Sequence, residues 1–144
     1  MKKIIIYTDG GSEGNPGRGA IAFLFCNEEG KTIKEFCKEI EGKITNNEAE
    51  YLAVILALKK FKQIFGKKLA KNTEIEIRSD SELLVNQMKG KYKILEEKLK
   101  PLFLDLWNLK IDFKNVEFKL IPREKNQRAD ELVKKVFSQK NLFF

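Results

Sequence analysis

The sequence predicts a single α/β domain over residues 1–144, a five-stranded mixed sheet in the order βββαβααβα flanked by helices. Three observations predict it. The unbroken apolar run Ile4-Ile5-Ile6-Tyr7 suits a central strand buried on both faces. Residues 52–58 are apolar nearly all round at helical length, the pattern of a central buried helix. Strand-like and helical patterns then interleave to the end, with no internal repeat, low-complexity tract or linker.

The first strand covers residues 3–8 and ends in Asp9. Residues 10–19, rich in glycine and containing Pro16, read as a loop. Residues 20–26 and 32–40 form a hairpin about the turn at 27–31, completing a three-stranded meander. Cys26 and Cys37 fall on its two arms in registers too far apart to bridge, so both are expected to be free thiols. A long helix follows over 45–65, then a basic stretch at 66–72. Residues 74–79 alternate as a fourth strand and end in Asp80. Helices are expected over 81–88 and 95–108, where Trp107 is spaced with Phe103 and Leu104 as a core residue. A fifth strand covers 116–121, closed by Pro122, and a last helix runs from 126 or 127 to about 138.

The charge balance narrows function. Lys and Arg number 28 against 21 for Asp and Glu, a net +7, which suits a polyanionic partner such as nucleic acid. With no histidine, Ser-His-Asp and Cys-His nucleophilic schemes and His-based zinc sites are excluded, so any catalysis falls to carboxylates, with or without a metal. The longest uncharged apolar run has eight residues, far short of the ~20 that span a membrane. The apolar stretch after Lys3 is likewise too short for a signal peptide. Reduced cysteines and no export signal fit the cytoplasm.

Four acids stand out. Asp9 and Asp80 close strands, where ligand crevices of α/β sheets gather. Either also suits a turn or cap, and Ser81 competes with Asp80 for the capping role. Thr45 with Glu48 spells a capping box, leaving Glu50 on an apolar helix without a local task; a register with Asn47 capping and Glu50 in its box stays open. Asp130 lies in the first turn of the last helix, where the helix dipole favours an acid whatever its function. If these elements meet, their mutual repulsion calls for cations, and carboxylate oxygens suit Mg²⁺.

Four segments in this order carry a family resemblance: Tyr7-Thr8-Asp9-Gly10-Gly11-Ser12 with Gly14-Asn15-Pro16-Gly17; Thr45-Asn46-Asn47-Glu48-Ala49-Glu50; Ser79-Asp80-Ser81-Glu82; and Asn126-Gln127-Arg128-Ala129-Asp130-Glu131-Leu132. The chain resembles type 1 ribonuclease H, which cuts the RNA strand of RNA–DNA hybrids, and the resemblance spans nearly all of it. It implies an RNase H-like fold and a two-metal mechanism leaving 5′-phosphate and 3′-hydroxyl ends. The implied catalytic and metal-binding acids are Asp9, Glu50, Asp80 and Asp130, around two Mg²⁺ ions about 4 Å apart, with Mn²⁺ as an alternative. Gly11, Ser12, Asn15, Asn46 and Asn47, with Glu50, would contact hybrid, and Thr45 with Lys43 would hold a DNA-strand phosphate. At Gly11 glycine would matter because a Cβ would block close approach of the backbone to the RNA minor groove.

Two family features are missing. Many relatives carry a histidine in the loop before the last helix; here Arg123 and Glu124 are the candidates to take its place, and no imidazole ionisation is expected in turnover. The basic, tryptophan-bearing extension of many relatives is also absent, and the lysines of 59–71 are expected to add affinity for hybrid or contact another surface. A monomer with no obligate protein partner is expected. A catalytically silent hybrid-binding module, or another metal nuclease of the superfamily, is the competing reading.

Overall fold

The computed structural model describes residues 2–140. Three strands open the chain: β1 (Lys3–Gly14), β2 (Gly17–Cys26) and β3 (Thr32–Ile44). The helices α1 (Asn46–Phe65) and α2 (Lys67–Lys71) lead to β4 (Glu74–Ser79). After α3 (Glu82–Met88) and α4 (Leu99–Lys110) come β5 (Asn115–Leu120), a 3₁₀ turn (Arg123–Lys125) and α5 (Gln127–Lys140). The sheet order is β3-β2-β1-β4-β5, antiparallel across the first three strands and parallel from β1 through β4 to β5.

The apolar run of β1 feeds both faces, as its pattern predicts. Ile4 and Ile6 join a core with α1, α3 and α4, whereas Ile5 packs with Ala22, Leu24, Leu132 and Val133 under α5. Helix α1 lies between the sheet and α4, which explains why its apolar residues encircle it: Ala53, Val54, Ala57, Leu58 and Phe61 are all fully buried. Buried Tyr51 donates its hydroxyl hydrogen to Gln87 Oε1 at 2.6 Å, so the ring enters the core without an orphaned polar atom.

Thr45 caps α1 in a complete capping box. Its hydroxyl accepts from Glu48 N at 3.1 Å, and Glu48 Oε1 accepts from Thr45 N at 3.0 Å. The alternative register, with Asn47 as cap, is not adopted. Thr45→Ala removes one half of the box and is expected to cost about 1 kcal/mol, read as a fall in Tm of about 3 °C by calorimetry.

The glycine-rich segment departs from expectation. It is not a loop but the arms of a hairpin paired through Gly14↔Gly17, with Asn15 and Pro16 at the tip. Backbone pairing to β2 does not need side chains, so glycine's weak strand preference is overridden. Asp9 is therefore inside β1, just past Tyr7↔Arg78, the last pair with β4. Residues 67–71, expected as an irregular basic stretch, make the short helix α2 by turning Ala70 into the core. Helix α4 begins at Leu99 rather than 95, with Pro101 in the first turn, where its missing N–H costs little. Trp107 is 44% exposed instead of buried; it stacks on Phe103 at 5.7 Å and carries the Lys110 ammonium at 3.9 Å from its ring centre. A single spacing pattern cannot tell which side of a helix faces inward when both carry apolar residues.

The cysteines are free, with Cys26 opposite Thr32 and Cys37 opposite Ala22. No helix among the described residues is long and apolar enough to cross a membrane.

Candidate active site

Three elements bring their acids together at one edge of the sheet. Asp9 leaves β1 beyond the parallel pairing with β4, Asp80 follows the last residue of β4, and Glu50 lies near the start of α1. The juxtaposition depends on Gly10. A Cβ there would stand 2.4 Å from the backbone carbonyl carbon and oxygen of Ala49 and 2.8 Å from Glu50 N. Only glycine lets β1 press against the backbone of α1, and that contact carries Glu50 to Asp9. Carboxylate oxygens of Asp9, Glu50 and Asp80 all lie within 4.8 Å of one another.

The electrostatics of this trio are unfavourable on their own. Burial, then the charges of Asp80 and Asp130, push the Asp9 carboxyl up to about 7, although a hydrogen bond from the Gly10 amide and the Arg123 charge pull the other way. Glu50 is raised well above the ordinary carboxylate range, first by burial and then by Asp9 and Asp80. Its Oε1 is buried and accepts no hydrogen bond. An acid oxygen so placed needs a proton or a cation. The donors are oxygens only, which suits a hard divalent ion such as Mg²⁺; the set fits a metal centre.

The surroundings hold Asp80 in place and spare it other duties. Ser81 caps α3, accepting from Leu84 N at 3.2 Å, while Ser79 Oγ accepts from Ser81 N at 3.0 Å. Buried Asn126 donates through Nδ2 to Thr8 O at 2.8 Å and to Asp80 Oδ2 at 3.4 Å. One amide thus ties β1, the end of β4 and the start of α5 together behind the acids. In the sequence Asn126 stands at a helix start and at the head of a family segment, with no role assigned to it. Its signal was a short polar residue before a helix, which does not reveal burial.

Asp130 stands outside the trio. Its Oδ2 pairs with Lys134 Nζ at 2.9 Å, one turn along α5, yet its charge still acts on Asp9. Arg123 lies beside Asp80 along an open groove with Glu82 and Pro122, and its charge reaches both Asp9 and Glu50. Glu124 occupies the same 3₁₀ turn and is exposed.

The residues expected to touch substrate divide. Asn46 Oδ1 accepts from Ser12 N at 2.9 Å and Ser12 Oγ at 3.2 Å, and Asn15 Oδ1 accepts from Asn46 N at 2.9 Å. Ser12, Asn15 and Asn46 therefore form one polar shelf, joining the β1–β2 hairpin to the start of α1. Thr45 stands next to it as the helix cap, with exposed Lys43 two residues before. Asn47 instead donates from Nδ2 to Glu96 Oε1 at 2.9 Å, linking α1 to the segment before α4. Within the fold a Cβ at Gly11 would meet only Asn46 Oδ1 at 3.8 Å and Val133 Cγ1 at 3.9 Å, ordinary contact, whereas at Gly10 it would overlap the backbone of α1.

Known proteins resemble this arrangement along nearly all of its length. The family model described as reverse transcriptase-like matches residues 7–136. A bifunctional protein of Mycobacterium tuberculosis is 32% identical over 130 residues, covering 90% of this chain and 34% of that protein. Ribonuclease HI of Halobacterium salinarum is 33% identical over 130 residues, 90% of this chain and 62% of the relative. The chain thus spans about a third of the first of these and under two thirds of the second. Among solved structures, LC11-RNase H1, isolated from compost by a metagenomic approach, superposes with a TM-score of 0.89 at 47% identity, covering 97% of this chain and 99% of that one. The same protein has been solved in complex with an RNA/DNA hybrid. With the sheet order, the acid trio and these likenesses in agreement, the chain belongs to the reverse transcriptase-like family of RNase H-fold domains and, within it, to the type 1 ribonucleases H.

Proposed function

We propose that this chain hydrolyses the RNA strand of RNA–DNA hybrids with two divalent cations, Mg²⁺ or Mn²⁺, leaving 5′-phosphate and 3′-hydroxyl ends. The observation that carries the reading is the clustered Asp9, Glu50 and Asp80, with a buried, unpartnered oxygen on Glu50. Asp9, Glu50 and Asp80 would hold the cations, with Asp130 flanking them after release from Lys134. Bound there, the cations supply Lewis-acid stabilisation of the charge that builds on the phosphodiester oxygens.

The chain's own residues do the rest. Gly10 fixes the spacing of Asp9 and Glu50 through backbone contact, and Asn126 orients the Asp80 carboxylate. The shelf of Ser12, Asn15 and Asn46 presents polar groups along the edge where a minor groove with its 2′-hydroxyls would lie, the group that separates RNA from DNA. Lys43 and Thr45 offer a charge and a hydroxyl for a phosphate of the DNA strand. Arg123 sets a positive charge beside the acids where a histidine stands in many relatives. Water adds across the P–O3′ bond: its oxygen joins phosphorus, the 3′-oxygen leaves, and a proton ends on that oxygen.

The test is incubation with hybrid, double-stranded DNA and double-stranded RNA, each with Mg²⁺ and with chelator. Cleavage of hybrid RNA alone, lost with chelator, is expected. Binding without cleavage would favour a silent module, and cleavage of double-stranded DNA would favour another nuclease of the superfamily.

A further inference from the structure

A second charged feature lies far from the acids. Lys62 of α1, Lys67, Lys68 and Lys71 of α2, and Asp112 line a groove of about 350 Å³. The register of α2 explains the grouping, since turning Ala70 into the core leaves the three α2 lysines outward. Asp112, the one acid in the lining, pairs with Lys62 at 2.5 Å, and Lys71 donates to Ile111 O at 3.3 Å. Lys67 and Lys68 are exposed and have no ion-pair partner among the described residues. Among the described residues four ammonium groups against one carboxylate leave the groove net positive, and the Lys67 and Lys68 side chains serve no contact within the fold.

Its position is opposite the candidate active site. Helix α2 leads into the first residue of β4, whereas Asp80 follows the last. Six residues of extended chain at ~3.3 Å each separate those ends by roughly 20 Å. Along α1, Lys62 lies twelve residues beyond Glu50, roughly 18 Å at ~1.5 Å per residue. A duplex with a persistence length of about 150 bp does not bend around a domain of this size without large cost. A hybrid seated on the acids and the adjoining Ser12–Asn46 shelf, all at one end of the sheet, therefore leaves the groove at the other end to strand beyond it.

We propose that this lysine groove is a second nucleic-acid site, which binds the phosphodiester backbone of strand lying outside the hybrid segment at the acids. Lysines are point charges without a bidentate fork, and among the described residues neither arginine nor an aromatic ring lines the groove, so the contact is sequence-independent and governed by salt. The proposal rests on the nucleic-acid reading of the chain and adds a site to it.

Binding in chelator, where no strand is cut, is measured on two probes over a range of KCl. One is a blunt 10-bp hybrid, and the other is the same hybrid with a 30-nucleotide single-stranded DNA tail. On the tailed probe, K67Q/K68Q/K71Q is expected to weaken binding about tenfold at 100 mM KCl and to reduce the slope of log K against log salt by about 2, at ~0.7 per single-strand phosphate. On the blunt probe the variant and the wild type should agree, as should their cleavage rates with Mg²⁺. K67Q/K68Q, which removes no contact within the fold, should give a smaller loss in the same direction. Equal slopes for wild type and variant on the tailed probe overturn the proposal, as does an equal loss on both probes. Replacing the tail with a 30-bp duplex extension separates the two sources of backbone: retention of the effect assigns the groove to either, and its loss assigns it to single strand. A wild type that binds both probes but cuts neither defeats the nuclease reading and leaves the slope comparison decisive for the groove.

Discussion

Asp9→Asn is expected to abolish hybrid cleavage and, in the same protein, to raise the Tm of the metal-free form. The two effects have one origin. Asp9 is 8% exposed and its carboxyl stands near 7 because burial and neighbouring acids disfavour its charge. Between its unfolded value near 3.8 and about 7, the folded chain holds a proton that the unfolded chain has lost. Stability of the metal-free protein therefore falls as pH rises through that window and stays reduced above it. Three pKa units correspond to about 4 kcal/mol at most, and relaxation around the site should leave about 2 kcal/mol. Asparagine carries no charge to penalise, so calorimetry in chelator at pH 8 should show a Tm about 5 °C above wild type. The gain should shrink toward pH 5. Mg²⁺ should raise the Tm of wild type and do little for the variant, since a ligand stabilises only the state that binds it. A variant that still cuts hybrid, or that melts below wild type at pH 8, would contradict this account.

Gly10→Ala should damage both the fold and the site with a single added methyl. The new Cβ would overlap backbone atoms of Ala49 and Glu50, which no rotamer change can move aside. Helix α1 must shift off β1, loosening the central core and separating Asp9 from Glu50. A cost of about 3 kcal/mol or more is expected, a fall in Tm of about 10 °C, with hybrid cleavage reduced at least about a hundredfold. Gly11→Ala, one residue along, meets nothing closer than 3.8 Å and should change stability by less than about 1 kcal/mol. Similar losses at both positions would show that the approach of β1 to α1 is not what sets the site.

The comparison of these two glycines shows where sequence reasoning stops. The strands and the long helix were legible because the run at Ile4–Ile6 and the all-round apolar pattern of α1 leave few other solutions. The capping box at Thr45 and Glu48 was legible because it is local, and it freed Glu50 for another task. The placement of Asp9 and Asp80 at strand ends made a meeting of the acids conditional on the elements converging, and the family resemblance supplied that condition for four acids, of which Asp9, Glu50 and Asp80 lie together and Asp130 pairs with Lys134. Which glycine touches a helix, by contrast, is a property of tertiary approach and leaves no mark in composition. Asn126 shows the same limit, since its burial and its bond to Thr8 O arise only when α5 docks. Trp107 misled for a related reason: its spacing is helical, but α4 meets the core through Leu99, Leu102, Phe103, Leu106 and Leu109 and leaves Trp107 half-exposed.

Among the described residues, α5 alone covers the sheet face that holds Ile5, Ala22 and Leu24. An excursion that lifts this helix would wet those side chains and draw Asn126 and Asp130 away from the other acids at the same moment. Partial opening and loss of competence are then a single event. Deuterium uptake by the α5 amides would count how often the molecule is switched off while the rest of it stays folded.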